Sequence, residues 1–366
     1  MVQYPVTEAA AARNGTAVQM NSMTDWSNEI AFESSASYNI TGETEADKDA
    51  VNLFKNSYNT TDGTVKLIIG ERGDAAVAAY ENLIPQKAEG YYLNVSKNEV
   101  VIAGNDESGT YYGVQTFIQI ASQPNVMCVT ITDYPSVPQR GLVEGYYGNP
   151  YSEADRLGLF EFFGRMKMNV YIYGPKDDAY HKSKWREEYP TELGNKITEY
   201  VNVAKANKIE FMWAIHPGED IQWNDKDRAN IVNKLKAMCK LGVRSFAVFW
   251  DDLWGDDGTH GDEQAELMNY IAAELKSNGC DLPFGIRLLD HNGRDTVYCS
   301  VTEECGKVIR QPLFENDNAE RGAMLEVCFP KSALNKFIYA SVKFMLPSLF
   351  FTFVLLITFM FTLYMA

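Results

Sequence analysis

The sequence predicts an α/β protein in parts: an N-terminal α+β domain over residues 1–133, a partial (β/α)8 barrel over 134–310, a divergent linker over 311–343, and an apolar C-terminal helix over 344–366. Three observations predict it. Strand-like and helix-like segments follow one another in mixed order as far as Asp133. The run Asp133-Tyr134-Pro135-Ser136-Val137-Pro138 then resists both helix and central strand and marks a boundary. From Arg140 onward strands and amphipathic stretches alternate, the pattern of parallel strands joined by helical crossovers.

Each element has a local cause. Val65 to Ile69, Tyr91 to Val95 and Val100 to Ala103 are β-branched or aromatic runs, the last two joined by a turn at Ser96, Lys97 and Asn98. Asp106 to Ser122 has helical spacing of Tyr112, Val114, Phe117, Ile118 and Ala121. In the second part the strands are Gly141 to Tyr147, Asn169 to Tyr173, Ile209 to Ile215 and Arg244 to Trp250. The helices between and after them are Glu153 to Met166, Thr191 to Asn207, Asp227 to Leu241 and Asp262 to Ser277. Polar and aromatic clusters close each strand, and in a β/α barrel those ends share the face on which active sites lie.

Composition narrows the function. The 366 residues are 46% hydrophobic and 22% charged, which excludes wholesale disorder, and 33 basic against 49 acidic residues leave a net charge of −16. Such a surface repels polyanions, so nucleic acid is not an expected partner. Six cysteines without a C-x-x-C pair and four histidines fit no standard zinc site, and neither metal nor cofactor is expected. Met1 to Gly15 lacks the basic and apolar regions of a secretory signal. Residues 344–366 carry no charge and would form a helix about 35 Å long, enough to cross a bilayer core. Lys331, Lys336 and Lys343 precede it as basic flanks. The setting expected from these features is secreted or cell-surface, with the tail as a membrane anchor; a buried core helix or an aberrant reading frame is the competing explanation of the tail.

The sharpest chemical motif is Phe249-Trp250-Asp251-Asp252-Leu253-Trp254. Indole faces stack on pyranose rings and two carboxylates can divide acid and base work. From local sequence alone, a helix-capping aspartate in a solvated pair is the favoured explanation. Asp177 and Asp178, after Lys176, form a rival pair, and composition does not choose between them. His181 and His216 belong to no nucleophile or metal constellation and are read as makers of structural hydrogen bonds. Tyr146, Tyr147 and Trp254 are either pocket-lining or core.

Three motifs in order, RGLVEGYYGNPYS (140–152), KMNVYIYGPKDDAYHKSKWREEYP (167–190) and FAVFWDDLWG (246–255), resemble glycoside hydrolase family 84, which contains β-N-acetylglucosaminidases, O-GlcNAcases and enzymes described as hyaluronidases. Residues 1–133 resemble, without sharp motifs, the domain preceding the barrel in these enzymes and in family 20 hexosaminidases. The resemblance implies removal of β-linked N-acetylglucosamine from glycans or glycoproteins by substrate-assisted retention through an oxazoline, an exception to the two-carboxylate scheme. It implies that Asp251 holds the acetamido N–H, that Asp252 is general acid and then base, that Lys176 bonds sugar hydroxyls and that the Gly145 carbonyl meets the sugar.

Beyond about Asp281 the resemblance fades. A family motif resembling Cys-Pro-Thr-Glu-Tyr should supply a tyrosine where YCSVTEECG (298–306) places Glu304, and the family's Trp-Thr-Gly segment has no counterpart after Trp254. The sequence therefore predicts a retained first half-barrel with its aspartates and an altered second half. The alternative is a catalytically inactive, truncated glycan-binding or membrane-tethered chain.

Overall fold

A computed structural model describes residues 23–145, 149–218, 220–249, 261–277, 297–301 and 308–312. Asp251, Asp252, Tyr146, Tyr147, Trp254, Glu304 and the tail at 344–366 lie outside the described residues, within which no helix is long and apolar enough to cross a membrane.

The first part is a six-stranded mixed sheet of β1 (Met23–Glu33), β2 (Tyr38–Thr41), β3 (Val65–Glu71), β4 (Tyr91–Ser96), β5 (Glu99–Gly104) and β6 (Asn125–Asp133), in the order β1-β6-β4-β5-β3-β2. β2, β3 and β5 are parallel, while β4 runs antiparallel to both β5 and β6. The β4–β5 hairpin turns at Asn98, whose φ of 58° suits asparagine better than a branched residue. α1 (Lys48–Ser57) and α2 (Glu107–Ile120) cover one face, each started by an aspartate side chain: Asp47 accepts from the Ala50 N–H and Asp106 from the Gly109 N–H. Phe54 and Phe117 from these helices pack on Tyr38, Leu67 and Ile102 of the sheet. A 3₁₀ helix at Ala75–Leu83 covers the other face over Ile68, Val101 and Ala103.

In the second part β7 (Gly141–Glu144), β8 (Val170–Tyr173), β9 (Glu210–Ile215) and β10 (Ser245–Val248) form a parallel sheet in the order β10-β9-β8-β7. α3 (Glu153–Arg165), α4 (Thr191–Ala206), α5 (Asp225–Lys240) and α6 (Gly261–Ser277) follow the successive strands. Ser152 and Asp155 make a capping box on α3, and Asn224 caps α5. Period-two alternation divides the strands cleanly. Tyr171, Tyr173, Phe211, Trp213, Phe246 and Val248 pack outward on the helices, while Val143, Val170, Ile172, Met212, Ala214, Ala247 and Phe249 line the inner face. β11 (Val297–Val301) and β12 (Val308–Pro312) pair antiparallel with each other, lean on α6 and add no strand to the parallel sheet. The parallel sheet has four strands among the described residues, and Tyr298 to Val301 belongs to the hairpin.

The two parts meet through buried cations. Lys167 and Lys208 follow α3 and α4 with φ of 55° and 60°, the left-handed position that usually carries glycine after a helix. Lys208 Nζ binds Asp47 at 2.7 Å and Asp49 at 2.9 Å. Lys167 Nζ accepts burial by donating to Tyr91 Oη at 2.8 Å and Asp133 Oδ2 at 3.3 Å, and desolvation lowers its pKa against the pull of Asp133. Arg140 and Asn169, just before β7 and β8, both bond Glu89 at 2.6 Å. On the second part, Arg140, Lys167, Asn169 and Lys208 sit where strands begin or helices end, so the first part docks on the face opposite the C-terminal strand ends.

Asp133→Asn is expected to cost about 3–5 kcal/mol in urea unfolding, because it strands the Lys167 charge in the interface. Adding Lys167→Met should recover part of that loss; equal loss in the double variant would refute the coupling.

Candidate active site

The C-terminal ends of the parallel strands bring three stretches of chain together. Gly145 follows β7, Gly174 follows β8, and Phe249 follows β10. A Cβ on Gly145 would lie 3.8 Å from Phe249 Cε2 and 3.9 Å from the Gly174 carbonyl, so the three are neighbours on the inner face. Backbone bonds fix them: Gly174 N–H donates to the Glu144 carbonyl at 3.0 Å, and Phe249 N–H to that of Ile215 at 2.8 Å. Lys176 stands two residues past Gly174 and is half-buried. Asp251 stands two residues past Phe249, hence within about 7 Å of it along the chain.

The glycines differ in role. Among the described residues a Cβ on Gly145 meets nothing nearer than 3.6 Å, so their packing does not require glycine there. A Cβ on Gly174 would sit 2.5 Å from Phe249 Cε2. Gly174 thus makes room for the ring beside the candidate aspartates, a role the sequence reading missed; the glycine at the end of VYIYG was its signal.

In the rival pair, Asp178 is taken up by structural bonds. Asp178 accepts from Tyr173 Oη at 3.1 Å, from the Tyr180 N–H at 2.8 Å and from Tyr189 Oη, which ties the loop to the helix side of the sheet. Glu144 also faces that side: Arg156 Nε and Nη2 hold it at 2.9 Å and 2.8 Å, and Tyr171 Oη donates to it. Burial raises the pKa of Tyr171, helped by the Glu144 charge.

His181 and His216 are almost wholly buried, with ring centroids 6.4 Å apart and the His216 N–H donating to the His181 carbonyl at 2.8 Å. A structural hydrogen bond at His181 is therefore made by its backbone; its ring interacts with the Pro175 carbonyl, short of full hydrogen-bond geometry. Burial, then His216 and the Lys176 charge, push the His181 pKa down to about 3. Lys176 is thus close to a ring kept neutral. Among the described residues no cluster of His, Cys, Asp and Glu could hold a metal.

A small mixed sheet thus sits under parallel β/α units whose C-terminal strand ends carry Gly145, Gly174 and Lys176, an arrangement that by itself defines no single activity. The comparisons make it specific. The β-N-acetylglucosaminidase family model matches residues 140–286, and the model for glycosyl hydrolase family 20, domain 2, matches residues 20–134. Rat (Rattus norvegicus) protein O-GlcNAcase is 39% identical over 114 residues, 31% of this chain and 12% of the relative. The solved structure of CpGH84B shares 34% identity at a TM-score of 0.64, covering 72% of this chain and 48% of the other. CpGH84D shares 25% at a TM-score of 0.59, covering 75% and 55%. The chain is family 84-like, and it spans about half the length of these solved relatives and far less of the curated one.

Gly174→Ala should destabilise the fold by about 1–3 kcal/mol through overpacking against Phe249, whereas Gly145→Ala should unfold at the wild-type denaturant midpoint. His181 gives a pH test with a definite sign. Unfolded histidine binds a proton below about 6.5 and the folded ring only below about 3. The unfolded state holds the extra proton between those values, so stability falls as pH drops through that window. In His181→Asn the loss on acidification should be shallower, by up to about 1.4 kcal/mol per pH unit. Parallel unfolding curves of the two proteins would refute it.

Proposed function

We propose that the protein is a retaining β-N-acetylglucosaminidase that cleaves β-linked N-acetylglucosamine from glycoconjugates. The observation that supports this most is the meeting of Gly145, the Gly174-Pro175-Lys176 turn and Phe249 at one end of the parallel sheet, because the chain runs from Phe249 directly into Asp251 and Asp252. The match of residues 140–286 to the β-N-acetylglucosaminidase family model and the likeness to protein O-GlcNAcase add support.

In this reading the sugar sits over the strand ends. Lys176 donates to its hydroxyls and the Gly145 carbonyl accepts from one. Asp251, ionised, accepts the acetamido N–H and steadies the positive charge that develops as the acetamido oxygen attacks the anomeric carbon. Asp252, protonated, gives its proton to the departing glycosidic oxygen as that bond breaks, and the amide proton passes to Asp251, which leaves a neutral oxazoline and returns that proton when the ring reopens. Asp252 then takes a proton from water, which attacks the same carbon and reopens the ring with retained configuration. Neighbouring carboxylates serve this division, since the charge on one holds the proton on the other. No metal or cofactor enters these steps.

Purified protein given 4-nitrophenyl N-acetyl-β-D-glucosaminide should release nitrophenol. Asp252→Asn should lower kcat about 10²–10⁴-fold with the fold intact by circular dichroism, and Lys176→Ala should act mainly on KM. Undiminished turnover in Asp252→Asn would overturn the assignment. A folded wild-type chain that binds the sugar without cleaving it would favour the glycan-binding alternative.

A further inference from the structure

A cavity of about 340 Å³ lies on the other side of β8 from Gly174. Its walls are Tyr173 at the strand end, the loop carrying Asp177 and Tyr180, and the first turns of α3 and α4. Helices in this sheet start where strands end, so the cavity opens on the same face as the candidate active site, one layer further from the inner face. The loop that forms its wall begins immediately after Lys176.

The walls are fixed before any ligand arrives. The hydroxyls of Tyr173 and Tyr189 both donate to Asp178, and Trp213 Nε1 donates to Tyr189 Oη at 3.1 Å. Lys234 Nζ packs 4.8 Å from the Tyr189 ring centroid and 5.6 Å from that of Tyr180. Arg156, clamped by Glu144, lies 5.4 Å and 5.8 Å from the ring centroids of Tyr173 and Tyr200. A site whose side chains are already held loses little freedom on binding.

Its chemistry narrows the ligand. Three carboxylates line the cavity (Glu153, Asp177, Asp178) against two cations (Arg156, Lys196), a balance of −1 that does not favour an anion. At the rim Lys196 pairs with Glu153 at 3.0 Å with both side chains about 40% exposed, a pair weak enough to reopen toward hydroxyl groups. Tyrosine faces, carboxylate acceptors and a volume at the low end for ligand pockets fit one neutral polyhydroxylated ring. We propose that this cavity is a second saccharide subsite, binding one neutral pyranose beside the candidate active site. The proposal rests on the glycosidase reading only for the choice of sugar.

The test is saturation-transfer NMR with N-acetylglucosamine on the full chain, on Leu193→Trp and on Lys176→Ala. Leu193 lines the cavity and is 37% exposed, so a larger ring there fills the space from the rim. Expected is a signal that survives Lys176→Ala, weakens in Leu193→Trp and vanishes in the double variant. Binding untouched by Leu193→Trp and abolished by Lys176→Ala would overturn the subsite and leave the active-site reading standing. Binding abolished by Leu193→Trp alone would do the reverse, and no binding to any protein would overturn both. Should Leu193→Trp fail to fold, Tyr180→Ala removes one wall without adding bulk and carries the same comparison.

Discussion

The docking of two lysines against the first sheet sets which face of the second sheet is left for chemistry. Lys167 and Lys208 occupy equivalent places, the residue after the cap of a helix that follows a parallel strand, and both take the left-handed backbone that glycine fills most cheaply. The corresponding residue after α5 is Gly242, with φ of 97°. A lysine there costs about 1 kcal/mol of backbone strain. At the two positions that meet the first sheet, the charge reaches Asp133 and Asp47, offsetting that strain. Asp47 does two things at once, capping α1 and holding Lys208.

This explains why α2 is buried nearly all round. It packs on its own sheet through Tyr112 and Phe117, and toward the other part through Tyr111, whose hydroxyl donates to Asn207 at 3.0 Å. The N-terminal strand ends are thereby covered, and the C-terminal ends keep Gly145, Gly174, Lys176 and Phe249. Val143, Val170, Ile172, Met212, Ala214 and Ala247 make the middle of the inner face apolar, while Ser245 and Glu210 bond each other at the end where the strands begin.

Much of this was legible in the sequence because the second sheet obeys simple rules. Each strand is a short apolar run, and α3 and α5 open on the side-chain caps Ser152 and Asn224, so existence and order follow from the sequence pattern, and only the ends differ: the strand begun at Gly141 stops at Glu144 rather than Tyr147, and the one read from Arg244 stops at Val248 rather than Trp250. The first sheet was harder. β1 is largely polar and exposed, with register shifts around Ile30, and in β6 the buried positions run Val126, Val129, Ile131, breaking strict alternation. α1 buries only Ala50, Val51 and Phe54, too few for a clear stripe. For the site, local sequence could not separate Asp177-Asp178 from Asp251-Asp252. The preference for Asp251-Asp252 rests on the family resemblance, to which the structure adds only that Asp178 is held by the hydroxyls of Tyr173 and Tyr189. Gly174 was missed because its need for a missing side chain arises from Phe249, distant in sequence.

The central claim is that the substrate's own acetamido group attacks at this face. The most direct measurement is the rate of hydrolysis of aryl β-glucosaminides carrying N-acetyl, N-fluoroacetyl, N-difluoroacetyl and N-trifluoroacetyl groups. Each fluorine weakens the amide oxygen as a nucleophile while leaving the glycosidic bond in place. The account predicts a steep, progressive fall in kcat/KM along the series; rates that stay level across it would contradict the claim.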